Sequence, residues 1–155
     1  MNDASKHEIS VSRRFDAPRE LVYRAFVDPD QLCEWYGPSG FLVPCETVQI
    51  DARPGGFQRF EMTNLEDPGS RYQVEVTLSE VVENELLAGH QDVERIDAAR
   101  PASRSRLRLE FLEEANGKTR LELRQGPYTP EVAQDAKARW ESSFTNLDSL
   151  LRRSL

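Results

Sequence analysis

Few residues in this chain are of a type and spacing that could do chemistry. It has two histidines, His7 and His90, in 155 residues. His7 falls in a terminus expected to fray, and no sequence spacing ties His90 to a cysteine or serine nucleophile. By its unperturbed pKa, His90 is still the one side chain suited to acid–base work near neutrality. The carboxylates Glu61, Glu75, Glu110 and Glu122 alternate with apolar residues, as on the solvated face of strands. Cys33 and Cys45 lack metal-ligand spacing and are expected to be reduced structural thiols. Gly55-Gly56 opens a strand rather than a helix and lies in no phosphate-binding pattern, so a tight turn is expected there. No catalytic residue, metal site or cofactor is therefore expected.

Polar residues on apolar faces carry more information. Gln58 has the parity of Phe60 and Met62, and Gln125 that of Leu121 and Leu123. His90 is expected to share a face with Leu86 and Ala88. With the aromatics Phe60, Tyr72, Trp140 and Phe144 they form the set expected to wall a pocket. Trp35, Tyr36, Met62, Val74 and Leu109 complete that candidate ligand-binding set. If Gln58, His90 and Gln125 all point inward, they need one another, water or a ligand head group as partners.

The elements that must position these residues follow from periodicity. Ile9, Val11 and Phe15 alternate over His7 to Phe15, a half-buried strand with Arg13 on its apolar face. Asp16-Ala17-Pro18 starts a short helix bearing Leu21, Val22, Ala25 and Phe26. Asp28-Pro29, with Gln31 three residues on, has the form of a capping box opening a second helix that carries Leu32, Trp35 and Tyr36 and stops at Gly37-Pro38. Six strands follow. They are Phe41–Ile50, Phe57–Met62, Tyr72–Leu78, Leu86–Val93, Leu107–Phe111 and Thr119–Leu123. Pro54-Gly55-Gly56, Asp67-Pro68-Gly69, Glu83-Asn84, a loop around Arg100-Pro101 and Asn116-Gly117 separate them. From Thr129 to Arg153, Val132, Ala136, Trp140, Phe144, Leu147 and Leu151 make one apolar stripe on a helix roughly 36 Å long. Thr129 and Pro130 supply its start, and Arg152 and Arg153 suit its last turn. The fold class is α+β: a curved, seven-stranded antiparallel sheet around a long C-terminal helix, with two short helices between the first two strands.

Composition sets the outer bounds. One domain spanning residues 1–155, with its core over about 8–151, suits this length. A net charge of −7 and a pI near 5.0 disfavour nucleic acid as a partner. No apolar run reaches the length of a membrane span, and no stable membrane association is expected. The first ten residues lack a signal-peptide pattern, so a cytoplasmic location is expected. Both a monomer and a homodimer are compatible with the sequence.

Several stretches together resemble a known family. They are Phe15-Asp16-Ala17-Pro18 with Leu21-Val22-Tyr23, Asp28-Pro29, Trp35-Tyr36-Gly37-Pro38, Arg53-Pro54-Gly55-Gly56 with Phe60 and Met62, Gly117-Lys118-Thr119-Arg120-Leu121, and the helix with Trp140, Phe144 and Leu147. In this order they resemble the activator of heat-shock-protein-90 ATPase homologue family, of the START-like, birch-pollen-allergen-like SRPBCC superfamily. The resemblance implies the helix-grip fold that the periodicity also predicts. It also implies a pocket more polar than the family norm, because Tyr36, His90 and Gln125 stand where the family often has Trp, an aromatic and His. Three functions are expected from it, in this order: binding of a small, largely apolar molecule with a polar head; a co-chaperone acting on a heat-shock-protein-90-type chaperone; and a cyclase- or hydrolase-like enzyme using His90.

Overall fold

The first strand and the last lie side by side, so the two ends of the chain close one edge of the sheet. A computed structural model describes residues 7–37, 40–67, 69–96 and 103–154. The expected turn residues Pro38 and Pro68 and the loop around Arg100-Pro101 lie outside these described residues. The elements are β1 (His7–Phe15), α1 (Arg19–Val27), α2 (Pro29–Trp35), β2 (Phe41–Leu42), β3 (Gln49–Asp51), β4 (Phe57–Asn64), β5 (Arg71–Val82), β6 (Leu86–Arg95), β7 (Ser103–Glu114), β8 (Lys118–Tyr128) and α3 (Pro130–Ser154). The sheet order is β1-β8-β7-β6-β5-β4-β2, with β3 also paired to β4. Every pairing is antiparallel. These are the expected seven positions around a long helix, in an α+β helix-grip fold.

The second position is broken rather than continuous. Phe41 to Ile50 was expected as one strand, yet a single 3₁₀ turn at Cys45–Thr47 separates β2 from β3. Pro44 has no N–H for a ladder bond. Its carbonyl accepts from the Thr47 hydroxyl at 2.7 Å, and the Thr47 oxygen accepts from the Glu61 amide at 3.1 Å. Cys33 and Cys45 are joined in a disulfide, which corrects the expectation of two reduced thiols. The bond ties α2 to this turn. Sequence spacing could not reveal it, because only the folded chain brings the end of α2 beside the 3₁₀ turn. Disulfides are rare in cytosolic proteins, so the pair and the expected cytoplasmic location pull in opposite directions.

The short helices form for local reasons and are then fastened to the core. Asp28 caps α2 by accepting from the Asp30 amide at 3.0 Å, and Pro29 takes the first position. Gln31 reaches the Asp28 carboxylate at 3.4 Å rather than its backbone, so the reciprocal half of the expected capping box is replaced by a side-chain contact. The Trp35 indole donates to the Ala25 carbonyl at 2.8 Å, and Asn146 of α3 donates to the Gly37 carbonyl at 3.2 Å. The expected cap of α3 is present, with the Thr129 hydroxyl accepting from the Val132 amide at 3.4 Å.

The convex face is charged as alternation predicts. Glu61, Glu75, Glu110 and Glu122 each pair with an arginine, Arg71, Arg59, Arg108 and Arg120 respectively. Exposed pairs of this kind add little to stability. On the concave face, Arg13 is accommodated by donating to the Thr145 hydroxyl on α3 at 3.2 Å. The main core lies between this face, α1, α2 and the C-terminal two-thirds of α3. Phe15, Phe111, Leu121, Leu123, Phe144 and Leu147 are almost wholly buried there.

Candidate functional site

Where the N-terminal part of α3 crosses the sheet, the two do not touch everywhere, and a cavity of about 360 Å³ opens between them. Side-chain size along α3 accounts for its position. Toward the C-terminus the inner face carries Trp140, Phe144, Leu147 and Leu151, which fill the gap. One and two turns before Trp140 it carries the small side chains Ala136, Ala133 and Val132, too short to reach across the space to the strands. Val132 is 44% exposed at the rim.

The strand register distributes chemistry around the cavity. On the side of β2, β4 and β5 the wall is Phe41, Met62, Tyr72 and Val74. Val74 pairs with Val93 on β6, and Val93 with Ser103 on β7. From there the wall turns polar, with Gln91, Ser103, Gln125 and Tyr128 on β6 to β8 and Arg139 and Ser143 above them on α3. Tyr36, at the end of α2, closes the remaining side. Its ring lies 4.6 Å from that of Phe60 and 5.6 Å from that of Trp140.

One hydrogen-bonded chain runs through the polar side. The Trp140 indole N–H donates to Gln125 Oε1 at 2.7 Å, and Gln125 Nε2 donates to the Ser105 hydroxyl at 2.9 Å. Burial pushes the Tyr128 hydroxyl above its ordinary pKa, while the neighbouring Ser105 hydroxyl and the nearby Arg139 guanidinium pull it back. Tyr36 is raised further, by burial first and by Tyr128 second, with Arg139 opposing. Both tyrosines are therefore neutral donors at physiological pH.

Apart from His90, the expected site residues divide into three groups. Tyr36, Met62, Tyr72, Val74, Gln125 and Trp140 line the cavity. Gln58, Phe60 and Leu109 face inward but border a separate void of about 10 Å³, at the lower limit for one water. Gln58 is used up there, donating through Nε2 to the Phe26 carbonyl at the end of α1. Trp35 and Phe144 are fully buried in an aromatic cluster, with ring centroids 6.2 Å apart.

His90 is a correction. It pairs with Thr77 and Arg106, both exposed, and so belongs to the convex face. The inward positions of β6 are Leu87, Gly89, Gln91 and Val93. The parity was misleading because Gly89 contributes no side chain to the inward row, while Leu86 and Ala88 imitate an apolar row on the other side. Gly89 is required where it stands. It faces a bulge between Leu78 and Glu80, and a Cβ on it would lie 1.8 Å from the Thr77 carbonyl oxygen. The expected trio of unmet polar groups therefore does not exist: Gln58 and Gln125 have protein partners, and His90 points away.

Several wall residues escaped the sequence reading, among them Gln91, Ser103, Tyr128, Arg139 and Ser143. Some signal was present. Val93 shares parity with Gln91, and Arg139 and Ser143 follow Ala136 by three and seven residues, on the helix face that includes Trp140. Among the described residues no cluster of three or more potential metal ligands occurs, and no helix is long and apolar enough to cross a membrane.

Solved structures with this architecture are numerous. A protein from Chromobacterium violaceum is 25% identical with a TM-score of 0.77, the match covering 93% of this chain and 96% of that one. An AHSA1 protein from Silicibacter pomeroyi is 23% identical with a TM-score of 0.81, covering 96% and 100%. A protein from Nitrosomonas europaea is 20% identical with a TM-score of 0.76, covering 99% and 98%. The latter two likenesses bear on the fold alone. No curated protein matches the chain. The model for the family described as activator of Hsp90 ATPase homolog 1-like protein matches residues 16–152, nearly the whole of the fold just described, and the chain belongs to that family, within the SRPBCC helix-grip superfamily.

Proposed function

We propose that this protein binds a small, largely apolar molecule with a polar head in the cavity between the sheet and α3. The observation that carries this reading is the two-sided wall of the 360 Å³ space, apolar at β2, β4 and β5 and polar at β6 to β8. Its volume falls at the lower end of the range of small-molecule sites, roughly 300–1,000 Å³. Burial of the apolar body drives binding, and the polar side fixes its orientation. With Trp140, Gln125 and Ser105 already linked to one another, the wall is pre-organised and little ordering is required on binding.

The test is an unbiased mass-spectrometric search for small molecules that co-purify with natively prepared protein, followed by calorimetry on the stripped protein. An amphipathic compound bound one to one is expected. A protein that emerges empty from every preparation and binds no apolar probe lacks this function.

Family membership makes a co-chaperone the second reading. It is tested by ATP turnover of a heat-shock-protein-90-type chaperone in the presence of saturating protein, and absence of stimulation removes it. The enzyme reading loses its named residue, because His90 faces away from the cavity.

A further inference from the structure

The cavity wall has a distinctive charge. The chain carries 27 acidic residues and a net charge of −7, yet among the described residues none that lines the cavity is acidic, and the only formal charge on the described wall is Arg139. A cation entering this space would meet an unopposed positive group. An anion would meet its counter-ion.

Arg139 is also unusual among the arginines of α3. Arg152 pairs with Asp148 at 3.0 Å, and Arg153 with Glu34 at 3.4 Å. Arg139 forms no ion pair among the described residues, although Asp135 stands one helical turn earlier, in the favourable order for an i, i+4 pair. Its electrostatic neighbours are the hydroxyls of Tyr36 and Tyr128. Arg139 lines the cavity yet remains exposed to water, which spares it the cost of a buried charge.

The neighbouring hydroxyl completes a head-group site. Ser105 accepts from Gln125, and the Tyr128 hydroxyl lies on the same wall as Arg139. A head group in the cavity can accept from the Tyr128 O–H as well as from the Arg139 guanidinium. Two donors, one of them charged and forked, suit a carboxylate. A doubly charged phosphate would exceed the single counter-charge.

We infer that Arg139, with the Tyr128 hydroxyl, anchors the head of a monocarboxylic acid whose apolar body lies against Met62, Tyr72, Val74 and Val93. This rests on the binding reading above and narrows its ligand class. The acid enters head outward, with its carboxylate at the rim beside α3 and its tail toward β4 and β5.

The test uses octanoate, octanol and octylammonium as matched probes, measured by calorimetry at neutral pH on the wild-type protein and on Arg139→Gln. Because Arg139 is exposed and forms no ion pair among the described residues, the variant should keep the wild-type melting temperature, which is checked first. Wild type is expected to prefer octanoate over octanol by about tenfold or more, the range of one charge-assisted hydrogen-bonded contact, with octylammonium weakest. Arg139→Gln should remove most of that preference while leaving octanol within about twofold, since the tail contacts are unchanged. Equal affinity of wild type for octanoate and octanol would overturn the inference while leaving the cavity as a binding site. An equal loss of both probes in Arg139→Gln would overturn it in the same way. If none of the probes binds to folded wild-type protein, the binding reading fails, and the head-group assignment falls with it.

Discussion

Along α3, the stretch from Trp140 to Leu151 and the stretch from Val132 to Ala136 lie over the same sheet and make opposite use of it. The first packs Trp140 and Phe144 at 5.5 Å between ring centroids and sets Phe144 against Phe15 at 6.0 Å. The second presents alanine and a rim valine, and the space beneath remains open. Hydrogen bonding differs in the same way. At the sealed end Gln58 is spent on the Phe26 carbonyl and Thr119 on the Ala17 carbonyl at 2.7 Å, so polar groups there fasten α1 to the sheet. At the open end Trp140, Gln125 and Ser105 form a hydrogen-bonded chain, with Tyr128 and Arg139 on the same wall. One end of the molecule holds the fold together, and the other is shaped but unfilled. The contrast shows how a helix-grip fold can hold a cavity without weakening its core: the stabilising volume is concentrated on one half of one helix.

Trp140 divides the two regions, and its removal should have the largest effect. Trp140→Ala is expected to cost about 3–5 kcal/mol, since it deletes a large buried aromatic and strands the Gln125 carbonyl. Chemical denaturation measures this, and a loss below about 1 kcal/mol would mean that Trp140 belongs to the open region alone. The disulfide should rank next. It closes a loop across a separation of 12 residues, and that loop includes Tyr36 and Phe41 of the cavity wall. Cys45→Ser is expected to lower stability by about 3 kcal/mol on the chain-entropy account. It should also speed hydrogen exchange over Gln31 to Tyr36 more than over Phe144 to Leu151, and uniform acceleration would break the distinction between the ends.

Gln58→Leu should cost about 1–3 kcal/mol, the penalty for leaving the Phe26 carbonyl buried without its donor. Because Gln58 belongs to the sealed end, binding of an apolar probe should stay unchanged, and a matching loss of affinity would extend the site inward. Ala136→Leu probes the open end in the converse way. Its side chain should enter empty space, with a stability change under about 1 kcal/mol and loss of probe binding.

The smallest effect is confined to alkaline pH. Burial raises the Tyr36 pKa above its ordinary 10.0, so the folded state keeps a proton that the unfolded state releases. The associated stability is fully present below pH 10 and declines as pH rises from there toward the folded value. Tyr36→Phe should flatten that decline and leave neutral stability little changed. An unaltered alkaline profile would mean that the Tyr36 hydroxyl reaches water.

The class of fold and the sealed end were legible in the sequence because both follow from periodicity. The step of three and four along α3 places Trp140, Phe144, Leu147 and Leu151 on one face whatever the partner, and strand alternation does the same for Phe60, Val74, Leu121 and Leu123. Asp28 with Pro29 and Thr129 with Pro130 mark helix starts through local bonds, so no distant residue is needed to read them. What tertiary structure alone decided is of another kind. Whether Gln58 and Gln125 wait for a ligand depends on a carbonyl 32 residues away and an indole 15 residues away. The side taken by His90 depends on which row of β6 meets the core, a row that Gly89 leaves without a side chain, and the pairing of Cys33 with Cys45 depends on a broken edge. Periodicity places a residue on a face, but it carries no information about the volume opposite. The cavity exists because short side chains on α3 happen to face the far strands of a curved sheet, and that is a relation between elements rather than a property of any one of them.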